Sequence, residues 1–330
     1  MQSQAPDTVI TDSVVLPKFV LSAVAARGAD ARILAREARL PSWLFTAAQG
    51  AISSRYAIRL WELAEWTLQD PDIAVDIAGR HQQGDLSLYD YLFLTAPTLR
   101  DGLTANGEFL HLVTNNSRWE ILQETDRDVT YSYAHSIRAH RGIELGAQFG
   151  LGLFCAKVRN ATGRPVIPVS VGFAQRAPRS HRAIADAFGT RQVEFDQPVN
   201  TLTFRQSDLD LPLRGADPVL AGILRRYAAT LPAAEQVTWY EQFKALLYDN
   251  LAAAPTLDTM ALQFAMSRRS LQRHLAEHGT TWRAELDHAR RRRAEQARSA
   301  ARPTLNALAR QLGYADPRAV SRALQRIGKT

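Results

Sequence analysis

Two sets of side chains near the C-terminus have the chemistry and spacing to contact nucleic acid. Arg268, Arg269, Gln272 and Arg273 fall within one short stretch, and on a helix that turns Leu271 and Leu275 inward they all face out. Arginine and glutamine can make bidentate hydrogen bonds to guanine and adenine edges and charge-assisted bonds to phosphate. Ser267 and Ser270 add hydroxyls, and Ser267 is also placed to cap the helix. In the second set Arg318, Arg322 and Arg326 recur every four residues with Ser321 among them. Aligned arginines repel one another unless something negative lies against them, so that spacing has a use against DNA.

Other chemistry lacks its signals. The eight histidines form no H-E-x-x-H pattern, and His135 and His140 are five apart, poor spacing for one helical face. There is no G-x-x-x-x-G-K-[ST], G-x-G-x-x-G or G-x-S-x-G. The pairs Asp126/Asp128 and Asp208/Asp210 lie in turn-like segments and read as surface charge rather than an acid/base pair. A single cysteine, Cys155, sits in the apolar run LGLFCAKV, which rules out an internal disulfide and a cysteine zinc site. No catalytic residue, metal site or cofactor is expected.

The elements that must hold the basic sets are helical. Leu257, Met260, Ala261 and Phe264 fall at i, i+3, i+4 and i+7, a helix with one apolar stripe, followed by a corner and the basic helix that starts after Ser267. The plan recurs with Leu305, Leu308, Ala309 and Leu312, Gly313 as a left-handed stop, and Asp316-Pro317 as N-cap and N1 of the next helix. Val320, Ala323, Leu324 and Ile327 would then form the buried stripe of that last helix. A short apolar helix, a corner and a basic amphipathic helix make a helix-turn-helix unit, here present twice. A connecting helix over 282–300, with Arg290 to Arg293 in succession, would set their separation.

Charge divides the chain at the same place. From Thr256 onward there are fifteen Lys+Arg against six Asp+Glu, a net +9, which leaves −2 upstream out of the +7 of the whole chain. A basic patch confined to one domain most often serves nucleic-acid phosphates. A basic helical module for RNA or an anionic surface would explain the charge but not two capped units at matched spacing.

Upstream, Val20–Gly28, Ala31–Leu40 and Tyr56–Trp66 read as helices, with Ile58, Trp61, Leu63 and Ala64 on one face of the last and Trp66 adjoining. Further helical runs cover 84–113 and Ile143–Arg159. Trp119–Gln123 and Val129–His135 read as a hairpin, and Val166–Phe173, Gln192–Phe195 and Thr201–Arg205 as further strands. The fold class is therefore an α+β N-terminal domain, helices with a mostly antiparallel sheet, followed by an all-α double helix-turn-helix C-terminal domain. The expected divisions are a tail over 1–19, an α+β domain over 20–230, a helical linker region over 231–255 and a basic helix-turn-helix domain over 256–330, the second of these being the effector-sensing domain by the resemblance given below. Tyr89, Tyr91, Trp119, Tyr131, Tyr133 and Phe173 are the aromatic residues that could line an apolar pocket, with plain core as the alternative for each. Neither a basic leader nor an apolar run of membrane-spanning length is present, so a cytoplasmic protein is expected.

The C-terminal residues resemble the AraC/XylS transcriptional regulators. The likeness rests on Ser267-Arg-Arg-Ser-Leu-Gln-Arg273, Gly279-Thr-Thr-Trp282, Arg290 with Ala294, Leu308-Ala-Arg-Gln-Leu-Gly-Tyr-Ala-Asp316 and Ser321-Arg322-Ala323. It implies two helix-turn-helix units whose recognition helices enter successive major grooves. The upstream region is similar to the arabinose-binding-type N-terminal domain of a subset of these regulators. That likeness rests on Gly28-Ala-Asp30, Arg59-Leu-Trp-Glu-Leu63, Ala96-Pro-Thr-Leu-Arg100, Val193-Glu-Phe195, Asn200-Thr-Leu-Thr-Phe204 and Leu209-Asp-Leu-Pro212. It implies that a small molecule is sensed, without identifying it.

The combined resemblance implies a non-enzymatic, sequence-specific regulator with four partners: double-stranded promoter DNA, a small-molecule effector, RNA polymerase and a second copy of the chain. DNA alkyl-repair enzymes that carry the same DNA-binding domain are the enzymatic alternative, and they need several cysteines. Arg318 and Val320 stand where the family has serine and phenylalanine, and Leu324 replaces another phenylalanine. The first unit is therefore expected to read bases and the second to hold phosphate.

Overall fold

The computed structural model describes residues 10–45, 49–137, 140–231, 239–264, 266–300, 304–314 and 316. The chain divides into two compact units, one of 1–40 with 47–236 and one of 41–46 with 237–330.

The first unit opens with β1 (Thr11–Ser13), α1 (Val15–Ala25), α2 (Ala31–Glu37), β2 (Ala51–Ser53), α3 (Ser54–Leu68) and α4 (Ile73–Gly79). It continues with α5 (Leu88–Leu94), α6 (Leu99–Glu108), β3 (Ser117–Glu124), β4 (Asp128–His135) and α7 (Arg141–Thr162). It ends with β5 (Ser170–Gly172), α8 (Arg182–Phe188), β6 (Val193–Glu194), β7 (Asn200–Arg205), α9 (Gln206–Leu209) and α10 (Pro218–Thr230).

Strands β3-β4-β7-β5-β6 form one sheet, antiparallel except where β5 runs parallel to β6. The expected hairpin is present, with Trp119 opposite Tyr133 and Ile121 opposite Tyr131. The strand expected over 166–173 is confined to Ser170–Gly172. A second, two-stranded sheet pairs β1 with β2, so the polar start of the chain carries a buried strand that hydropathy does not signal. Helix α1 begins before Pro17 rather than at Val20, because proline in the first turn removes an N–H that has no helical partner anyway.

Helix α7 is the spine of this unit. It is buried over most of its length and packs against α3, α4 and the sheet. Arg141 at its start is bound by Glu65 at 2.6 Å and Glu144 at 2.8 Å. Helix α3 buries Ile58, Trp61, Leu63 and Ala64 as its period predicts, and Leu60 besides. Trp66 is 75 % exposed and lies off that face.

The second unit contains α11 (Trp239–Asp249), α12 (Leu257–Gln263), α13 (Arg268–Glu277), α14 (Trp282–Ala300) and α15 (Leu305–Gln311). Its main core joins Leu257, Met260, Ala261, Phe264, Leu271 and Leu275 with Phe243 and Leu247 of α11. Helix α11 falls within the 231–255 stretch expected as a linker region, and two of its residues sit in this core. A smaller core gathers Ala294, Leu308, Ala309 and Leu312. Leu305, placed in that stripe by periodicity, is 53 % exposed. As the first residue of α15 it has no preceding turn to pack beside.

A candidate effector cavity and a candidate DNA-binding helix

The basic helix α13 is fixed at both ends. The Ser267 side chain accepts from the Ser270 backbone N–H at 3.1 Å, and the turn after the helix is closed by Thr280 N–H donating to the Leu275 carbonyl at 3.0 Å. Gly279 there has φ +71°, where a side chain would be strained. Leu271 and Leu275 are fully buried, while Ser267, Arg268, Arg269, Gln272 and Arg273 are exposed. Ser270 is half-buried, with its hydroxyl 2.9 Å from that of Ser267.

The arginines of α13 are not equivalent. Arg268 lies 3.7 Å from Asp258 and Arg273 3.6 Å from Glu277. Arg269 has no ion pair among the described residues. Helix α12, which braces α13, starts with a reciprocal cap between Thr256 and Thr259. Buried Glu285 at the start of α14 accepts from Tyr240 Oη at 2.7 Å and Thr280 Oγ1 at 2.6 Å. Arg290 donates to the Leu312 carbonyl at 3.0 Å, with its guanidinium 4.1 Å from the Tyr314 ring centre, so it serves the α14–α15 packing. Thr304 caps α15, and Gly313 takes the expected left-handed conformation at φ +69°. Arg318, Ser321, Arg322 and Arg326 lie outside the described residues.

In the first unit a cavity of about 80 Å³ opens beside α7, walled by β1, α1, α3, β4 and the turn after α6. Gly142, Gly146 and Gly150 bring one face of α7 to it. A Cβ on Gly142 would collide with the Ile58 carbonyl, and one on Gly150 would collide with the Tyr133 ring. At Gly146 the nearest atom to such a Cβ is His135 Nε2, at 3.9 Å. The two outer glycines thus admit close neighbours, and the middle one leaves space.

Of the six aromatic residues expected at a pocket, Tyr89 and Tyr133 line this cavity. Trp119 stacks on Tyr131 with ring centres 4.8 Å apart and packs on Phe154 at 4.0 Å, and Phe173 packs between Phe188 and Phe195. Those three fill the core. Tyr91 is 45 % exposed. The cavity is also lined by Asp12, Trp61, Phe149 and His135, none of which sequence patterning marks as a group.

Asp12 is the only carboxylate lining the cavity among the described residues. Burial pushes its carboxyl up to about 6, with the nearby Thr114 and Ser54 hydroxyls pulling the other way. The Ser54 contact is loose, since its Oγ has no hydrogen-bond partner. Burial also pulls His135 down to about 4, so its imidazole is neutral near pH 7, and pushes Tyr133 up to about 12. A carboxyl whose folded pKa is raised contributes stability that is complete below its unfolded value, near 3.8, and is lost as pH rises through about 6. Asp12→Asn is therefore expected to leave the melting temperature unchanged near pH 4 and to raise it above pH 6. A melting series across that range checks this.

A second buried group meets the cavity lining at Tyr89, whose ring centre lies 4.1 Å from the Lys157 ammonium. Asp90 lies 2.9 Å from His81 Nε2 and 3.0 Å from Lys157 Nζ, all three side chains being 2–3 % exposed. Cys155 is buried, and burial pushes its thiol up to about 12 against the pull of Arg159. The thiolate that alkyl transfer requires does not form near neutral pH. The described residues include no group of three or more His, Cys, Asp or Glu that could hold a metal, and no helix long and apolar enough to cross a membrane.

Residues 28–213 match the family described as the arabinose-binding domain of AraC transcription regulators, N-terminal. The chain belongs to the AraC-type transcription regulators. Among relatives of this regulator, the ornithine utilization regulator of Pseudomonas aeruginosa is 30% identical over 201 residues, 58% of each chain. The match thus spans less than two thirds of that relative's length. The crystal structure of the transcriptional regulator CdpR from Pseudomonas aeruginosa aligns over 95% of both chains at 17% identity, with a TM-score of 0.48.

Proposed function

We propose that the chain is a sequence-specific DNA-binding regulator in which the second unit carries the recognition helix and the first unit senses a small molecule. The observation that carries the reading is α13. It is a capped helix with a buried leucine face, and its opposite face presents Arg269 and Gln272 to solvent. Such a helix can enter the major groove N-terminus first. In this reading Arg269 and Gln272 contact base edges, while Arg268 and Arg273 exchange Asp258 and Glu277 for phosphate. The residues 318–326 contribute a second contact set dominated by phosphate. Promoter DNA, RNA polymerase and a second copy of the chain are the macromolecular partners.

Effector control works as a population shift. A ligand that binds one arrangement of the regulator more tightly changes DNA affinity by that differential and no more. Sensing is assigned to the first unit because it holds the cavity beside α7. A relative is named for ornithine utilization, so ornithine heads the amino acids, sugars, fatty acids and aromatic acids to be screened by thermal shift.

The test is a mobility-shift titration against the DNA flanking the regulator's own gene. Arg269→Ala is expected to reduce discrimination between specific and random sequence by about 1–3 kcal/mol. Arg273→Ala is expected to weaken both by a similar factor and to lower the salt dependence. Equal binding of native protein to specific and random DNA at moderate salt would falsify the regulator reading.

A further inference from the structure

Among the described residues, the cavity beside α7 combines one carboxylate with aromatic walls and no cation. Its described lining includes the rings of Trp61, Tyr89, Tyr133, Phe149 and Phe154, and neither lysine nor arginine. Its titratable side chains are Asp12, Tyr89, Tyr133 and His135. Asp12 is 6 % exposed and has no ion pair among the described residues. A carboxylate enclosed by apolar walls is unstable without a counter-charge, and aromatic faces attract cations and do not attract anions.

We propose that this cavity binds a small organic cation, an ammonium on a short apolar body, with its nitrogen against the Asp12 carboxylate and its carbons among the aromatic rings. The proposal rests on the reading of the first unit as the sensing unit, and it names the chemical class that unit receives. Size limits the body. The cavity of about 80 Å³ admits only a short body. An anionic ligand would meet a like charge at Asp12 and no balancing cation among the described lining residues. A sugar would leave most of its hydroxyls facing rings.

Three compounds of one shape separate the charge types: n-butylammonium chloride, n-butanol and sodium butyrate. They are titrated at pH 7.5 against the full-length regulator, with melting temperature and tryptophan fluorescence as readouts, since Trp61 lines the cavity. Butylammonium is expected to raise the melting temperature in a dose-dependent way and butyrate to leave it unchanged. Asp12→Asn should weaken the ammonium response at least tenfold while leaving the butanol response intact. Gly146→Leu, which directs a side chain into the open part of the cavity, should abolish both. A butyrate response equal to the ammonium response, or an ammonium response that survives Asp12→Asn, overturns the cation assignment. In that case a response still sensitive to Gly146→Leu leaves the cavity as the sensing site. If none of the three compounds acts on the native protein, both the cation assignment and the sensing role of the cavity are overturned.

Discussion

Replacing Asp90 by alanine is expected to destabilise the first unit by about 3–5 kcal/mol, the range for removing one partner of a buried ion pair. Its carboxylate holds three elements together. Oδ2 accepts from the backbone N–H of Gly84 at 3.0 Å and of Leu86 at 2.9 Å and lies 2.9 Å from His81 Nε2. Oδ1 lies 3.0 Å from Lys157 of α7, held by charge at an angle that leaves it without a hydrogen bond. Alanine would strand Lys157 among the Tyr89 and Phe93 rings, 4.1 and 5.5 Å from its ammonium, with the Asn106 amide oxygen at 3.3 Å as its remaining partner. Asp90→Asn combined with Lys157→Met should recover much of the loss, because it removes both charges and keeps the volume.

The pH dependence of the native pair has a definite sign. Burial raises the Asp90 carboxyl, but Lys157 and His81 outweigh it and hold the group down to about 2. Burial draws the Lys157 ammonium below the ordinary lysine value against the opposing pull of Asp90. A carboxyl lowered on folding contributes stability that is complete above its unfolded value, near 3.8, and is lost as pH falls through about 2. Urea titrations at pH 6 and pH 3 should therefore show a larger penalty for Asp90→Ala at the higher pH. A penalty below about 1 kcal/mol at pH 6 would mean that Lys157 finds water once its partner is gone.

This cluster shows what the chain order conceals. Ser267, Leu271 and Leu275 lie within a few turns of one another, so the cap and buried face of α13 can be read from spacing alone. His81, Asp90 and Lys157 are linked only through the packing of α7, and nothing local marks them as partners. The same holds for the cavity. Asp12, Trp61, Tyr133 and Gly146 come from four elements spread over more than a hundred residues, and Asp12 lies in a polar opening stretch that patterning treats as a tail. Periodicity located α3 because it buries one repeating face, and α7 was legible as a long apolar run buried nearly all round. Periodicity placed Leu305 and Trp66 incorrectly because helix ends and faces are decided by neighbours the period does not contain.

Phe243→Ala is expected to destabilise the second unit by about 3–5 kcal/mol, as for other phenylalanines deleted from a core. Phe243 is fully buried, with its ring centre 6.1 Å from Phe264 and 6.3 Å from Trp282, and shares a core with Leu271 and Leu275 of α13. The charge break at Pro255 suggests that 251–255 ends the preceding region, yet Leu251 is buried and the Cα side of Gly313 closes on its carbonyl. The residues that brace α13 therefore begin before the basic segment does. Removing the Phe243 ring should loosen α13 against α12 and lower affinity for specific and random DNA alike, whereas Arg269→Ala lowers the preference between them. Amide exchange over 268–277 together with mobility shift separates the two effects. Unchanged protection in Phe243→Ala would show that α13 is held by Phe264 and Trp282 without α11.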